Sequence, residues 1–297
     1  MEPFWKLTRL ALYAGAVAAT TKIAQASSSR ENMPDEVPCS VGYSLVEERL
    51  FQPPVNLSFG NGQPFSLSVI STANLRRYTA ELGILSRDEA RLAQNVRDLP
   101  ITVSTRTSPG AFEKMVSSHG IIPRRTLVSR GLNPSPGFVS ATEEDLFGAH
   151  DWVFTTISST GWKGSSAHGG LVLGVKEAYW RSHSWATPTS GLRFYENFLR
   201  LPKGAASRDG IPTEYLAQAR AAFQATVVQP SDYSRWIALD VIRFLRSQPE
   251  SVRAEFFKAD PKTLVELMNK YHLGFLEAKF PGIPLDSLEI LEHPGKP

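Results

Sequence analysis

Between Pro100 and Pro230 the chain carries apolar runs too short to be ordinary helices and too well punctuated to be anything but strands. "ITVSTR", "GFVSAT", "WVFTTIS", "GLVLGVK" and "ATVVQP" are rich in β-branched and aromatic residues and are separated by Gly, Ser and Pro. In "ITVSTR", Ile101, Val103 and Thr105 alternate against Thr102, Ser104 and Arg106. Strands of this length bury little alone, so they must pair and pack under helices. The pattern predicts a compact α+β domain over residues 100–230.

Helical texture flanks it. Residues 27–99 begin irregular and turn-rich, then read as two helices, "TANLRRYTAELGIL" ending near Gly83 and "SRDEARLAQNVRDL". The second opens on Ser86-x-x-Glu89, a capping box, and Pro100 stops it. Residues 231–297 read as a C-terminal helical region. "SDYSRWIALDVIRFLR" gathers Ile237, Val241, Ile242 and Leu245 on one face, and Asp260-Pro261 opens a further helix. At 42% hydrophobic residues in 297, the chain has material for a real core.

The first 26 residues form a separate processing unit. Lys6 and Arg9 precede an apolar run from Leu10 to Ala19, and Ala24-Gln25-Ala26 follows before a serine tract. This is the pattern of a secretory signal peptide, 1–26, and predicts a secreted protein. The run is too short for a stable membrane span. Cys39 is the only cysteine, so no intramolecular disulfide is expected, and a thiol bond to a partner chain would have to use it. The net charge of +3 is spread along the chain, with no basic block, so nucleic acid is not expected as a partner.

Metal chemistry is not expected either: the six histidines show no i, i+4 pair, and a second cysteine is lacking. "GWKGSSAHGG" is neither a Gly-x-Ser-x-Gly elbow nor a phosphate loop closed by Gly-Lys-Ser/Thr. One constellation remains. Arg106 ends the first strand, Ser140 sits in "FVSAT", and Glu196 lies in the aromatic-flanked run "FYEN". A guanidinium suits a pyrophosphate, which it grips as a fork. A carboxylate suits a sugar ring that develops positive charge. Glu177, after "LVLGVK", is the rival carboxylate.

These segments resemble the ADP-ribosyltransferase toxins, the cholera and heat-labile enterotoxin A-chain group especially. The resemblance spans about residues 100–225. Arg106 followed by "AFEKMVSSHGIIPR" is similar to the family's first motif, "FVSAT" to its Ser-Thr-Ser motif, and "DGIPTEY" to the segment after its Glu-x-Glu loop. The resemblance implies a split mixed-sheet α+β core with helical additions at both ends. It implies NAD as substrate, bound through Arg106, His119, Gly120, Ser140 and Thr142, with Arg106, Ser140 and Glu196 as the catalytic set. It further implies a secreted NAD-dependent mono-ADP-ribosyltransferase or NAD glycohydrolase acting on a host or competitor protein. The third motif departs from the family: Pro202 and Gly204 stand where the two glutamates belong, and Phe194 stands two residues before Glu196. Hydrolysis of NAD, or transfer to an acceptor other than arginine, fits that departure. A catalytically inactive secreted binding protein on the same scaffold is the alternative.

Overall fold

The computed structural model describes residues 50–59, 62–132, 141–163, 169–188 and 210–292. The signal-like segment, Cys39, Ser140, Glu196, Pro202 and Gly204 lie outside the described residues.

Two residues each of β1 (Asn56–Leu57) and β2 (Phe65–Ser66) pair and lead into α1 (Leu67–Leu82), which Gly83 ends at φ 64°. Next is α2 (Arg87–Arg97), with the expected reciprocal cap: the Ser86 side chain accepts from the Glu89 N–H, and the Glu89 carboxylate accepts from the Ser86 N–H. Then come β3 (Thr102–Thr107), α3 (Pro109–Ser117), β4 (Gly120–Ile121), α4 (Arg124–Ser129), α5 (Ala141–Phe147), β5 (Val153–Ser158) and β6 (Leu171–Val175). They are followed by α6 (Glu177–His183), β7 (Trp185–Thr187), α7 (Thr213–Gln224), α8 (Tyr233–Arg246), α9 (Glu250–Lys258) and α10 (Pro261–Lys270). Asp260 caps α10 through the Thr263 N–H, with Pro261 in its first turn as the sequence predicts. The chain closes with β8 (Phe275–Phe280), β9 (Ile283–Pro284) and β10 (Leu288–Glu292).

Six of these strands form one sheet in the order β10-β6-β3-β5-β8-β7, antiparallel at every neighbour. The α+β class holds, but the sheet is not mixed. The expected all-helical C-terminus is also corrected, since β8 sits between β5 and β7, and β10 forms the opposite edge. The physical reason is legible in "FLEAKF": Leu276, Ala278 and Phe280 alternate with Glu277 and Lys279, which is strand periodicity. Of "FVSAT", Ala141 and Thr142 open α5, and Phe138, Val139 and Ser140 lie outside the described residues.

The two sheet faces differ in kind. One face presents Val103, Val153, Ile157, Val175, Leu276, Ala278 and Phe280 to the main core, which includes Leu75 and Tyr78 of α1, Val96 of α2, and Trp236, Val241 and Ile242 of α8. Fully burying each of the Val, Leu, Ile and Phe side chains is worth roughly 1.5–3 kcal/mol, so this face anchors the fold. The other face carries most of the sheet's polar side chains, with Ser104, Val172 and Ser158 on it fully buried. Toward β7 it packs on a second apolar cluster that includes Phe59, Phe147, Trp185, Phe223 and Val227. Phe147 stacks on Phe223 with ring centroids 4.8 Å apart and meets Trp185 edge-on. No helix among the described residues is long and apolar enough to cross a membrane.

Candidate functional site on the polar face of the sheet

Residues paired across neighbouring strands share a face, and so do residues two apart on one strand. The register therefore assembles a row by itself. Gly174 of β6 pairs with Ser104 of β3, Ser104 with Thr156 of β5, Thr156 with Glu277 of β8, and Glu277 with Thr187 of β7. One pleat along, Glu292 pairs with Val172, Val172 with Arg106, and, toward the other edge, Phe154 pairs with Lys279 and Lys279 with Trp185. Arg106 and Glu277 thus stand on one face, two strands apart. Strand spacing and rise put their Cα atoms about 12 Å from each other.

Arg106 is the penultimate residue of β3, with its side chain 19% exposed. Its Nε donates to the Lys163 carbonyl at 3.1 Å, and its Nη2 lies 3.6 Å from the Glu292 carboxylate. Ser158, the last residue of β5, sets that geometry. Its Oγ accepts from the Thr160 and Trp162 N–H groups at 3.0 and 3.1 Å, folding the chain into a turn that delivers Lys163 to Arg106. Lys163 Nζ then reaches Glu292 at 2.6 Å. Both cations lower the Glu292 carboxyl below its usual range, the hydrogen bond from Lys163 foremost.

Lys279 is the most constrained charge on this face. Its side chain has no exposed surface, and Nζ donates to Thr187 Oγ1 and Glu277 Oε1, each at 2.7 Å. Three rings surround the ammonium, with centroids at 5.2 Å for Trp185, 5.5 Å for Phe147 and 5.8 Å for Phe154. Burial pushes its pKa down, opposed by the charges of Glu277 and Glu143. A cation this deep is tolerable only if paired, and Glu277 is its nearest counter-ion. Glu277 keeps 28% of its side chain exposed. The result is a carboxylate held from beside by Lys279 on the same face and part-exposed to solvent. Ser104, in the same row, is fully buried with an Oγ that lacks a hydrogen-bond partner among the described residues, and the Trp185 Nε1 lacks one likewise.

The other residues expected from the sequence have different surroundings. His119 (φ 59°) and Gly120 form a turn whose backbone joins β4 to β9, and the His119 carbonyl accepts from the Leu285 N–H. Thr142 is fully buried in α5. Glu177 opens α6, 64% exposed, and pairs with Arg181 one turn on, a solvated contact away from the polar row. Glu277, Lys279, Lys163 and Glu292 are absent from the sequence-based set, although the alternation in "FLEAKF" carries the signal for the first two. Among the described residues no group of three or more His, Cys, Asp and Glu side chains is arranged to hold a metal ion. No protein-family model matches this chain, and no curated protein matches it.

Proposed function

We propose that the protein is a secreted NAD-consuming enzyme, an ADP-ribosyltransferase or NAD glycohydrolase, with Arg106 and Glu277 as its working pair. The observation that carries this reading is their shared sheet face: a guanidinium and a fixed carboxylate, two strands apart, with the hydroxyl-bearing Ser104 beside Arg106 on β3 and Thr156 on the one intervening strand, β5. A dinucleotide laid across the strands presents its pyrophosphate to Arg106 and its nicotinamide-side ribose to Glu277. The bond from C1′ to the nicotinamide nitrogen breaks, and its electron pair neutralises the ring as nicotinamide leaves. The ribose then carries positive charge, which a preoriented carboxylate stabilises far more than it stabilises the ground state. Water or a protein side chain forms the new bond at C1′ and gives up its proton. Lys279 touches neither ligand nor reacting atom in this scheme and is a positioning residue for Glu277. Glu277 takes the role that the sequence assigns to Glu196.

A second reading has one observation in its favour. Arg106 and Glu277 both already have ion-pair partners, Glu292 and Lys279, as a scaffold without turnover would allow. Nicotinamide release from labelled NAD, followed with and without cell lysate, separates the two. On the enzymatic reading, Arg106→Lys keeps the charge but loses the fork, so KM for NAD rises by about tenfold or more. Release that is absent from the wild-type protein under every lysate condition favours the binding scaffold.

A further inference from the structure

Glu292 reaches Arg106 by way of an irregularity in the edge strand. β10 pairs regularly with β6 from Leu288 to Ile290, and then the register shifts so that Glu292, not Leu291, stands opposite Val172. By simple alternation from Ile290, whose partner Leu173 faces the core side, Glu292 would face the core side as well. The extra residue re-aims it onto the polar face, as bulges do. There its two carboxylate oxygens are divided between two cations, Oε1 to Lys163 at 2.6 Å and Oε2 to Arg106 at 3.6 Å. The seat holds two positive charges against one negative charge. The Arg106 contact is long for a charged hydrogen bond, so the carboxylate fills the seat without saturating it. The pair is part-exposed, with 43% of the Glu292 side chain open, and such pairs are weak. A phosphate offers more charge and more acceptor oxygens than a carboxylate in the same place.

From this geometry we infer that Arg106 and Lys163 form a seat for a phosphate or pyrophosphate group, and that Glu292 is a built-in competitor delivered to it by the β10 bulge. The inference rests on the proposed function for the identity of the full ligand, but the seat itself requires only an anion. Binding swings Glu292 out to solvent and leaves Lys163 and Arg106 to share the phosphate oxygens. Lys163 is thereby assigned to ligand binding, and the C-terminal strand acquires a gating part in affinity.

The test uses the full chain, with inorganic pyrophosphate as probe and calorimetry at low and moderate salt. Glu292→Gln keeps the size and drops the competing charge, so pyrophosphate should bind about tenfold more tightly than to wild type. Adding Lys163→Met to Glu292→Gln should abolish that gain. Unchanged affinity in Glu292→Gln, with a wild-type thermal melt, overturns the inference, as does a gain that survives Lys163→Met. NAD turnover is scored separately. If Glu292→Gln tightens pyrophosphate while no variant consumes NAD, the seat stands and the enzymatic reading falls. If NAD is consumed but Glu292→Gln alters neither pyrophosphate affinity nor KM, the seat falls and the enzymatic reading stands.

Discussion

Lys279 has no exposed side-chain surface, yet it carries an ammonium among three aromatic rings, with Glu277 and Thr187 as hydrogen-bond partners. Isolated burial of such a charge would cost several kcal/mol, so the pair is meaningful only as a pair. Glu277→Ala strands the ammonium and should destabilise the fold by about 2–4 kcal/mol. Lys279→Met leaves a part-exposed carboxylate that water can solvate, and should cost about 1 kcal/mol or less. The double variant should be more stable than Glu277→Ala alone, which urea denaturation of all four proteins measures. In turnover, Lys279→Met frees Glu277 to wander, and kcat should fall by about tenfold while KM for NAD stays within about twofold. Equal losses of kcat in Lys279→Met and in an unrelated core variant of matched stability would deny Lys279 its positioning role.

At the scale of elements, the backbone explains what single residues in the sequence cannot. Gly120, which the resemblance assigns to cofactor binding, has a φ of 153° and pairs with Pro284 in the β4–β9 ribbon. A Cβ there would lie 2.3 Å from the Ile283 carbonyl oxygen and 2.9 Å from Pro284 Cα. Gly120→Ala should therefore cost about 2–4 kcal/mol in urea denaturation, from combined strain and overlap. A His-Gly dipeptide reads the same in sequence whether it serves a ligand or a turn, because the partner strand lies more than 160 residues away. The helix signals did not suffer this ambiguity. The Ser86–Glu89 box, the Asp260-Pro261 start and the Gly83 stop are local devices, and each stands where its residues indicate. β8 was missed because three helices precede it and its alternation is only six residues long.

Across the whole molecule, the site emerges only when distant strands meet. Arg106 could be picked out because a strand carried it to a break in the chain. The carboxylate proposed to work with it could not, since Glu277 lies 171 positions on and reaches the same face through β5. Sequence order suggested a carboxylate near residue 196, whereas the sheet brings one from the C-terminal region, where helical texture dominates. The polar face itself follows from the register, which aligns Ser104, Thr156, Glu277 and Thr187 in one row while their neighbours Val103, Ile157, Leu276 and Ala278 close the core.

The central claim, that Glu277 stabilises charge developing on the ribose of NAD, is tested most directly by nicotinamide release from Glu277→Gln. The amide keeps the shape and an acceptor for Lys279 but removes the negative charge. The account predicts release slowed by a hundredfold or more relative to wild type, with NAD affinity by calorimetry changed by less than about threefold. Release at the wild-type rate from folded Glu277→Gln would contradict it.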